Sequence, residues 1–311
     1  MIVEIGPEQS ISKKIADLHA GDTLLLNDGI YKEKIEIWKD NIALKAKHPG
    51  KAIITNKDYY HKIMEDHNEC NTFRTYTVYV GANHVTFEEL IIQNEATPSS
   101  IYGQAVALHV DGNDFYCKNC TISSAQDTLF TGPMPKDLLE RYKGFFPEQK
   151  LKGTLSTQIY QSCKIVGDVD FIFGCAIALF EDCELITLNR NKDTPSFVCA
   201  PAHPKELPYG YLFYKCHFKG TEAAYLARPW RDYGCAAFIE CSMGDHILPE
   251  GFDKWNQTHR DQTARFYEYT PSKSTNKRVS WSHQLTNKEA EEYVKNFHVF
   301  LNANRNNSST V

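Results

Sequence analysis

Short apolar segments recur along the first sixty residues, separated by Gly, Pro, Asn and Asp. This is the pattern of short β-strands divided by turns. The predicted strands are residues 23–26, 35–37, 42–46 and 52–54. Residues 28–33 are predicted to be a turn that leads into the strand at 35–37.

Helical spacing occurs near both ends of the chain. In residues 8–20, Ile11, Ile15 and Leu18 share one face, and Gly21 is expected to end the helix. Near the other end, Thr286 and Glu289 form a capping box before a second helix. The stretch between, residues 253–284, has no regular pattern.

A three-position motif recurs from about residue 80 onward. An aromatic or apolar residue is followed three positions later by a small or apolar one, and two positions later by another apolar residue. The motif fits Phe87/Leu90/Ile92, Cys117/Cys120/Ile122, Tyr160/Cys163/Ile165, Phe180/Cys183/Leu185, Phe213/Cys216/Phe218 and Phe238/Cys241/Met243. No helical pattern separates these copies, so a βαβ fold is disfavoured. The repeat predicts a solenoid, specifically a right-handed parallel β-helix.

The predicted organisation is therefore all-β, a single parallel β-helix domain over residues 1–302 with short terminal helices as caps. Residues 131–158 form a long loop excursion between two repeat copies, expected near a functional cleft. Within it, residues 137–142 favour a helical turn. Residues 303–311 are expected to be a disordered tail.

Five of the ten cysteines occupy the middle position of the motif. We expect them to stack inside the solenoid, because a thiol behaves as a small apolar group. A metal site is less favoured, since the close pair Cys117 and Cys120 has no second pair or histidine at zinc spacing. Such thiols are compatible with a reducing compartment.

Composition narrows the classes of function. The chain has 311 residues and a net charge of −5. It has no basic run that would suggest nucleic acid, and no apolar run of about 18 residues that would suggest a membrane span. The N-terminus lacks a charged start and an apolar core, so no signal peptide is predicted. We expect a cytoplasmic protein; the alternative is a secreted one whose leader is missing from this chain.

Two charges of opposite sign lie in apolar segments. Asp170 is flanked by Val169 and Phe171, and Arg228 lies between Ala227 and Pro229. An ionised side chain in such surroundings is costly unless it is paired. The two residues are therefore expected to pair, either as a structural ion pair or to hold Asp170 ionised as a nucleophile.

A second aspartate, Asp127, follows Gln126, and another glutamine, Gln104, begins an apolar segment. Taken singly, Asp127 fits a turn or cap, and a buried glutamine fits a partner for the backbone. Converging amides beside a carboxyl group would instead suit an oxyanion hole. Trp230 fits either the core or a platform for a sugar ring. The motifs of serine hydrolases and zinc proteases are absent from the sequence.

Five segments, in order, resemble the signatures of the pectin methylesterases, or pectinesterases. They are GIYKE at 29–33, QAVAL at 104–108, QDTLF at 126–130, DFIFG at 170–174 and LARPW at 226–230. Residues 266–269 and 278–281 resemble the closing segment of the same family. The resemblance covers nearly the whole chain and also implies a right-handed parallel β-helix.

The resemblance implies hydrolysis of methyl esters on galacturonate units, with release of methanol. Asp170 would be the nucleophile, and Asp127 the acid that protonates methanol and then the base that activates water. Gln104 and Gln126 would stabilise the oxyanion, and Arg228 would hold Asp170. The residues implied to contact substrate are Thr72, Gln104, Val169, Phe173, Arg228 and Trp230.

The implied partner is methyl-esterified homogalacturonan or an oligogalacturonide, bound by a monomer. No metal or organic cofactor is implied. Asp127 and Asp170 lie 43 residues apart, a separation longer than in the plant enzymes, which favours the bacterial-type branch.

Two other interpretations stay open. One is an ester or thioester hydrolase of different specificity on the same scaffold, and the other is a sugar-binding β-helix without catalysis. The aspartates, the arginine and both glutamines count against the second. Methanol release from methylated pectin would distinguish the first.

Overall fold

The structure, a computed structural model, describes residues 1–142, 155–190, 193–271 and 277–306. Within these residues the strands form three parallel sheets, called A, B and C here, and the chain passes from sheet to sheet in each turn of a right-handed β-helix. Strands and helices are numbered in chain order.

Sheet A contains β1 Ile2–Ile5, β2 Thr23–Leu26, β5 Ala43–Ala46, β8 Thr86–Glu88, β11 Phe115–Lys118, β14 Thr157–Gln161, β17 Ile177–Glu181, β20 Tyr211–Tyr214, β23 Cys235–Ile239, β25 Arg265–Tyr269 and β26 His283–Gln284. Sheet B contains β3 Gly29–Lys32, β6 Ala52–Asn56, β9 Ile91–Asn94, β12 Thr121–Ser123, β15 Lys164–Gly167, β18 Glu184–Thr187, β21 His217–Gly220 and β24 Ser242–Met243. Sheet C contains β4 Ile35–Ile37, β7 Val78–Val80, β10 Leu108–Val110, β13 Leu129–Thr131, β16 Val169–Gly174, β19 Ser196–Pro201 and β22 Ala224–Ala227. The helices are α1 Ile11–Asp17, α2 Ser99–Tyr102, α3 Lys136–Arg141 and α4 Asn287–Asn306.

The three-position motif corresponds to one corner of each turn. Its first residues are register neighbours in sheet A, from Phe87 through Cys117 and Tyr160 to Phe238. Its third residues are register neighbours in sheet B, from Ile92 to Met243. All of them are buried in the main core. The predicted β-helix is confirmed, because each copy stacks on the one before it.

The middle position of the motif lies in the corner between sheets A and B. Cys183, for example, donates its thiol hydrogen to the carbonyl of Tyr160 in the preceding turn, at 3.2 Å. The residue before it, Asp182, has φ of 52°, a left-handed conformation that bends the chain sharply into sheet B. All ten cysteines are free and buried, so the predicted thiol ladder is structural.

Four local predictions need correction. The first helix spans only Ile11–Asp17, and its C-cap is Leu18 rather than Gly21, because the chain must turn into β2. Residues 29–32 form a strand, since their pairing with β6 overrides the turn preference of the Asp-Gly pair. Residues 265–269, expected to be irregular, form β25 beside β23. Residues 303–306, expected to be disordered, continue α4, while residues 307–311 lie outside the described residues.

The two terminal helices have different positions. Helix α1 buries Ile11 and Ile15 in the main core at the N-terminal end, as a cap would. Helix α4 begins with the predicted capping box, in which the Glu289 carboxylate accepts a hydrogen bond from the Thr286 N–H at 2.8 Å. However, α4 packs Phe297 on the outer face of sheet A, so it covers a side of the solenoid and not its end.

One predicted feature of the excursion, residues 131–158, lies within the described residues. Helix α3 forms at Lys136–Arg141, close to the helical turn expected at 137–142. Residues 143–154 lie outside the described residues. Within the described ranges, the structure has no helix with the length and apolar character that a membrane crossing requires.

Candidate active site

The candidate residues lie on the outer side of sheet C, one or two from each successive turn. Gln104 forms a parallel bridge with Gln126, which is one turn further along. Asp127 donates its backbone N–H to the Val169 carbonyl in the next turn, at 3.0 Å. The stacking of turns therefore brings Gln104, Gln126, Asp127 and Asp170 together although the sequence separates them.

Both aspartates have a backbone conformation that is unusual for a residue other than glycine. The φ angles of Asp127 and Asp170 are 63° and 48°. In addition, the register between β16 and β19 shifts between Val169 and Ile172, which marks a bulge beside Asp170. Bulges re-aim a side chain, and left-handed non-glycine residues concentrate at functional sites. The local backbone thus interrupts the regular alternation of the strand, so that Asp170 lines the cleft while the next residue, Phe171, is buried in the core.

Arg228 forms the predicted ion pair with Asp170. Its Nε and Nη2 atoms donate to Oδ1 and Oδ2 of Asp170 at 2.8 and 2.6 Å. The guanidinium lies between two aromatic rings, 3.8 Å from the centre of Phe197 and 4.1 Å from that of Trp255. Because both carboxylate oxygens accept hydrogen bonds from a permanently charged fork, this geometry favours the ionised form of Asp170.

The two carboxyl groups differ in how strongly they hold a proton. Burial raises the pKa of Asp127 well above its usual range, the negative charge of Asp170 raises it further, and Arg228 opposes both effects. Burial also raises the pKa of Asp170, but the charge and hydrogen bonds of Arg228 oppose that rise directly. One proton shared by the pair therefore belongs on Asp127.

These residues line a cleft of about 370 Å³. Of the residues predicted from sequence, the cleft lining includes Thr72, Gln104, Gln126, Asp127, Asp170, Phe173, Arg228 and Trp230. Val169 is not part of the lining. Its backbone carbonyl accepts the Asp127 N–H, and its predicted contact with substrate stays a prediction.

Comparison with known proteins identifies the family. The model of the family described as pectinesterase matches residues 9–155 and 149–303. The chain belongs to the pectinesterase family. A probable pectinesterase/pectinesterase inhibitor 64 from Arabidopsis thaliana is 26% identical over 297 residues, which cover 88% of this chain and 44% of that protein. The chain thus spans less than half the length of that relative.

Two solved structures show the same fold. The pectin methylesterase from carrot has a TM-score of 0.77 and 22% identity, with 92% of this chain and 89% of that chain covered. A pectin methylesterase solved in complex with a hexasaccharide has a TM-score of 0.73 and 24% identity, with 92% and 91% covered. At these identities the likeness extends to the architecture alone.

An aromatic cluster forms one wall of the cleft in this pectinesterase-family chain. Phe73 lies 6.5 Å from Trp230 with nearly parallel rings, and Trp230 lies 5.7 Å from Phe173 edge to face. Phe73 follows Thr72 in a short 3₁₀ turn, Thr72–Arg74, whose N-cap is Asn71. The wall thus combines rings from three distant segments around one apolar surface.

Several residues that line the cleft or contact Arg228 could not be predicted from the sequence. Trp255 lies in a stretch without any periodic pattern, so nothing local distinguished it from a surface residue. Phe197 has the ordinary pattern of a strand residue, and its contact with Arg228 depends on the neighbouring turn. Arg141 and Arg231 also line the cleft, but surface arginines are too common for sequence position alone to reveal this.

Proposed function

We propose that the chain is a carboxylic ester hydrolase that removes methyl esters from galacturonate units of pectin or oligogalacturonides and releases methanol. One observation carries the proposal: an aspartate held by an arginine fork lies in an open cleft beside a second aspartate whose pKa is raised. Membership of the pectinesterase family supports the substrate class.

The first half-reaction begins at Asp170. One of its carboxylate oxygens forms a bond to the ester carbonyl carbon, and the carbonyl oxygen becomes an oxyanion. The side-chain amides of Gln104 and Gln126, both in the cleft lining, are the proposed donors to that oxygen. Collapse of the intermediate breaks the bond to the methoxy oxygen, which takes the proton of Asp127 and leaves as methanol.

The second half-reaction regenerates the enzyme. Asp127, now ionised, removes a proton from water, whose oxygen attacks the acyl group on Asp170. The bond to Asp170 breaks, the product leaves as a carboxylic acid that then gives its proton to solvent, and Asp170 is again ionised beside Arg228. The net change is one ester and one water converted to one carboxylic acid and one methanol.

The charge of Asp170 accounts for the two roles of Asp127. While Asp170 is ionised, its charge helps to raise the pKa of Asp127 and keeps it protonated. Once Asp170 is acylated, that charge is gone, so Asp127 releases its proton more readily, which favours donation to methanol. When the acyl group leaves, the charge returns and Asp127 again retains a proton.

The remaining residues of the cleft are proposed to position the substrate. Trp230 and Phe173 present rings on which the apolar face of a sugar can lie, and Thr72 contributes a polar group at the same wall. Arg228 serves as a positioning residue for Asp170. Val169 positions Asp127 through its carbonyl, and its side chain is proposed to contact substrate next to Asp170.

The test is methanol release by the full chain from highly methyl-esterified pectin and from short methylated oligogalacturonides. The expected result is stoichiometric methanol and new carboxyl groups. Parallel assays with acetylated polysaccharide and with a simple thioester separate the alternatives. Hydrolysis of only those substrates would assign a different ester specificity, and binding of pectin without turnover of any ester would assign a sugar-binding role.

The branch of the family is a separate proposal. The 43-residue separation of Asp127 and Asp170 favours a bacterial-type chain, whereas similar proteins include both plant and bacterial pectin methylesterases. A phylogeny that includes bacterial and plant sequences tests this assignment. Grouping of this chain with the plant proteins would overturn it.

A further inference from the structure

Helix α3 is fixed at the edge of the cleft. Its residue Leu138 is buried in the aromatic cluster with Phe73 and Phe173. Asp137 in its first turn accepts two hydrogen bonds from Arg231, at 3.2 and 2.6 Å. The helix is therefore anchored on two sides, and its last residue, Arg141, has a defined place in the cleft lining.

The charged groups of the cleft are paired, with one exception. Among the described residues that line it, Arg228 pairs with Asp170, and Arg231 pairs with Asp137 outside the cleft. Burial raises the pKa of Asp127, which favours its neutral form. Arg141 is exposed and has no hydrogen-bond or ion-pair partner within the part of the chain that the structure describes.

An unpaired cation is notable in this setting. The protein as a whole carries a net charge of −5, so an unpaired guanidinium in the cleft that also contains Asp170 is not part of a general basic surface. Leu138 lies three positions before Arg141, which places both side chains on one face of α3. The buried leucine thus fixes the face of α3 that carries Arg141, and Arg141 lies exposed at the edge of the cleft.

We propose that Arg141 is a specificity-determining residue that binds a free carboxylate on a sugar unit next to the unit whose ester is attacked. The inference rests on the proposed function. Guanidinium binds a planar carboxylate through two parallel hydrogen bonds, whereas a methyl ester has no charge and one strong acceptor. Arg141 therefore favours substrates that are already partly de-esterified over fully methylated ones.

The same contact favours rebinding of the product. Each hydrolysis creates a free carboxylate on the polysaccharide. An ester on the adjacent sugar unit then has next to it the carboxylate that Arg141 is proposed to bind. Arg141 lies on α3, within the long excursion between Asp127 and Asp170. The proposed preference therefore depends on the segment that makes the separation of these aspartates long.

The test compares galacturonate hexamers that are fully methyl-esterified with hexamers that carry free carboxylates at alternate units. The ratio of their kcat/KM values is measured for the wild type, Arg141→Gln and Arg141→Lys. The wild type is expected to favour the carboxylate-bearing hexamer by about threefold to tenfold, as suits one partly exposed pair. Arg141→Gln is expected to lose this preference, Arg141→Lys to keep part of it, and added salt to reduce it in the wild type.

Lys136→Gln is the matched control, because it removes the same charge from the same helix at a residue that lines a neighbouring cavity and not the cleft. It is expected to keep the wild-type ratio. An unchanged ratio in Arg141→Gln, or an equal loss in Lys136→Gln, would overturn the inference.

Binding of an unesterified galacturonate hexamer provides a readout that does not need turnover. Calorimetry is expected to show binding weakened by about threefold to tenfold in Arg141→Gln but not in Lys136→Gln. If the wild type releases methanol, and Arg141→Gln and Lys136→Gln bind the hexamer as tightly as the wild type does, the inference is wrong and the proposed function stands. If no protein releases methanol from either substrate, the proposed function fails on its own.

Discussion

Removing the guanidinium of Arg228 should affect stability and activity together, in a manner that depends on pH. In Arg228→Ala, Asp170 loses two charge-assisted hydrogen bonds, at 2.8 and 2.6 Å, and stays in a site where its side chain is only 9% exposed. Breaking a buried pair by deleting one partner costs about 3–5 kcal/mol of unfolding free energy. We expect a loss in this range at neutral pH.

The pH dependence follows from the pKa of Asp170. Burial raises this pKa and Arg228 opposes the rise, so the variant has a higher folded-state pKa than the wild type. Between the unfolded-state pKa and the raised folded-state pKa, only the folded state of the variant holds the proton. Its stability therefore falls as pH rises through that window, and the cost of the substitution is smallest in acid.

Urea denaturation at several pH values measures this cost for Arg228→Ala, Asp170→Asn and the double variant. The double variant has no unpaired buried charge, so we expect it to be more stable than the sum of the single effects predicts, by about 2 kcal/mol or more. Methanol release by Arg228→Ala should be low at neutral pH and should rise with pH as Asp170 ionises. Additive stability effects, or a cost that does not vary with pH, would refute the proposed role of the pair.

Three further predictions concern other parts of the structure. Asp127→Asn should abolish methanol release. Because the raised pKa of Asp127 makes its ionisation in the fold unfavourable, the wild type loses stability as pH rises above the ordinary aspartate pKa, and the variant should not show this loss. Urea denaturation of the wild type and the variant at several pH values checks this, and the same pH dependence of stability in both would contradict it. Trp255→Leu removes the ring that lies 4.1 Å from the Arg228 guanidinium and should cost about 0.5–2 kcal/mol of stability with a lower kcat; an unchanged kcat would show that this ring does not orient Arg228. A thiol reagent should label none of the ten buried cysteines in the folded protein and all of them in urea; rapid labelling of the native protein would refute the buried ladder.

The repeated corner was predictable from sequence because the same physical requirement recurs in every turn. Each turn needs an inward ring in sheet A, a small group at the bend and an inward apolar residue in sheet B. Phe180, Cys183 and Leu185 meet these needs in one turn, and equivalent residues recur in the others. Strand β3 was not predictable in this way. Its Asp28-Gly29 start favours a turn, and only pairing with β6 makes it a strand.

In the candidate site, the residues that could be predicted were those whose charge conflicts with their local surroundings. Asp170 and Arg228 each lie among apolar neighbours, so each required the other. Trp255 and Phe197 were not predictable, because their importance arises from contact with Arg228 across the fold. The side of the solenoid that α4 covers was likewise set by long-range packing, and its amphipathic pattern alone did not reveal it.

The most direct test of the account is the initial rate of methanol release from methyl-esterified pectin by the wild type, Asp170→Ala and Asp127→Ala, with near-UV circular dichroism to establish that each variant is folded. The account predicts methanol from the wild type and none above background from either variant. Turnover near the wild-type rate by a folded Asp170→Ala variant would contradict it.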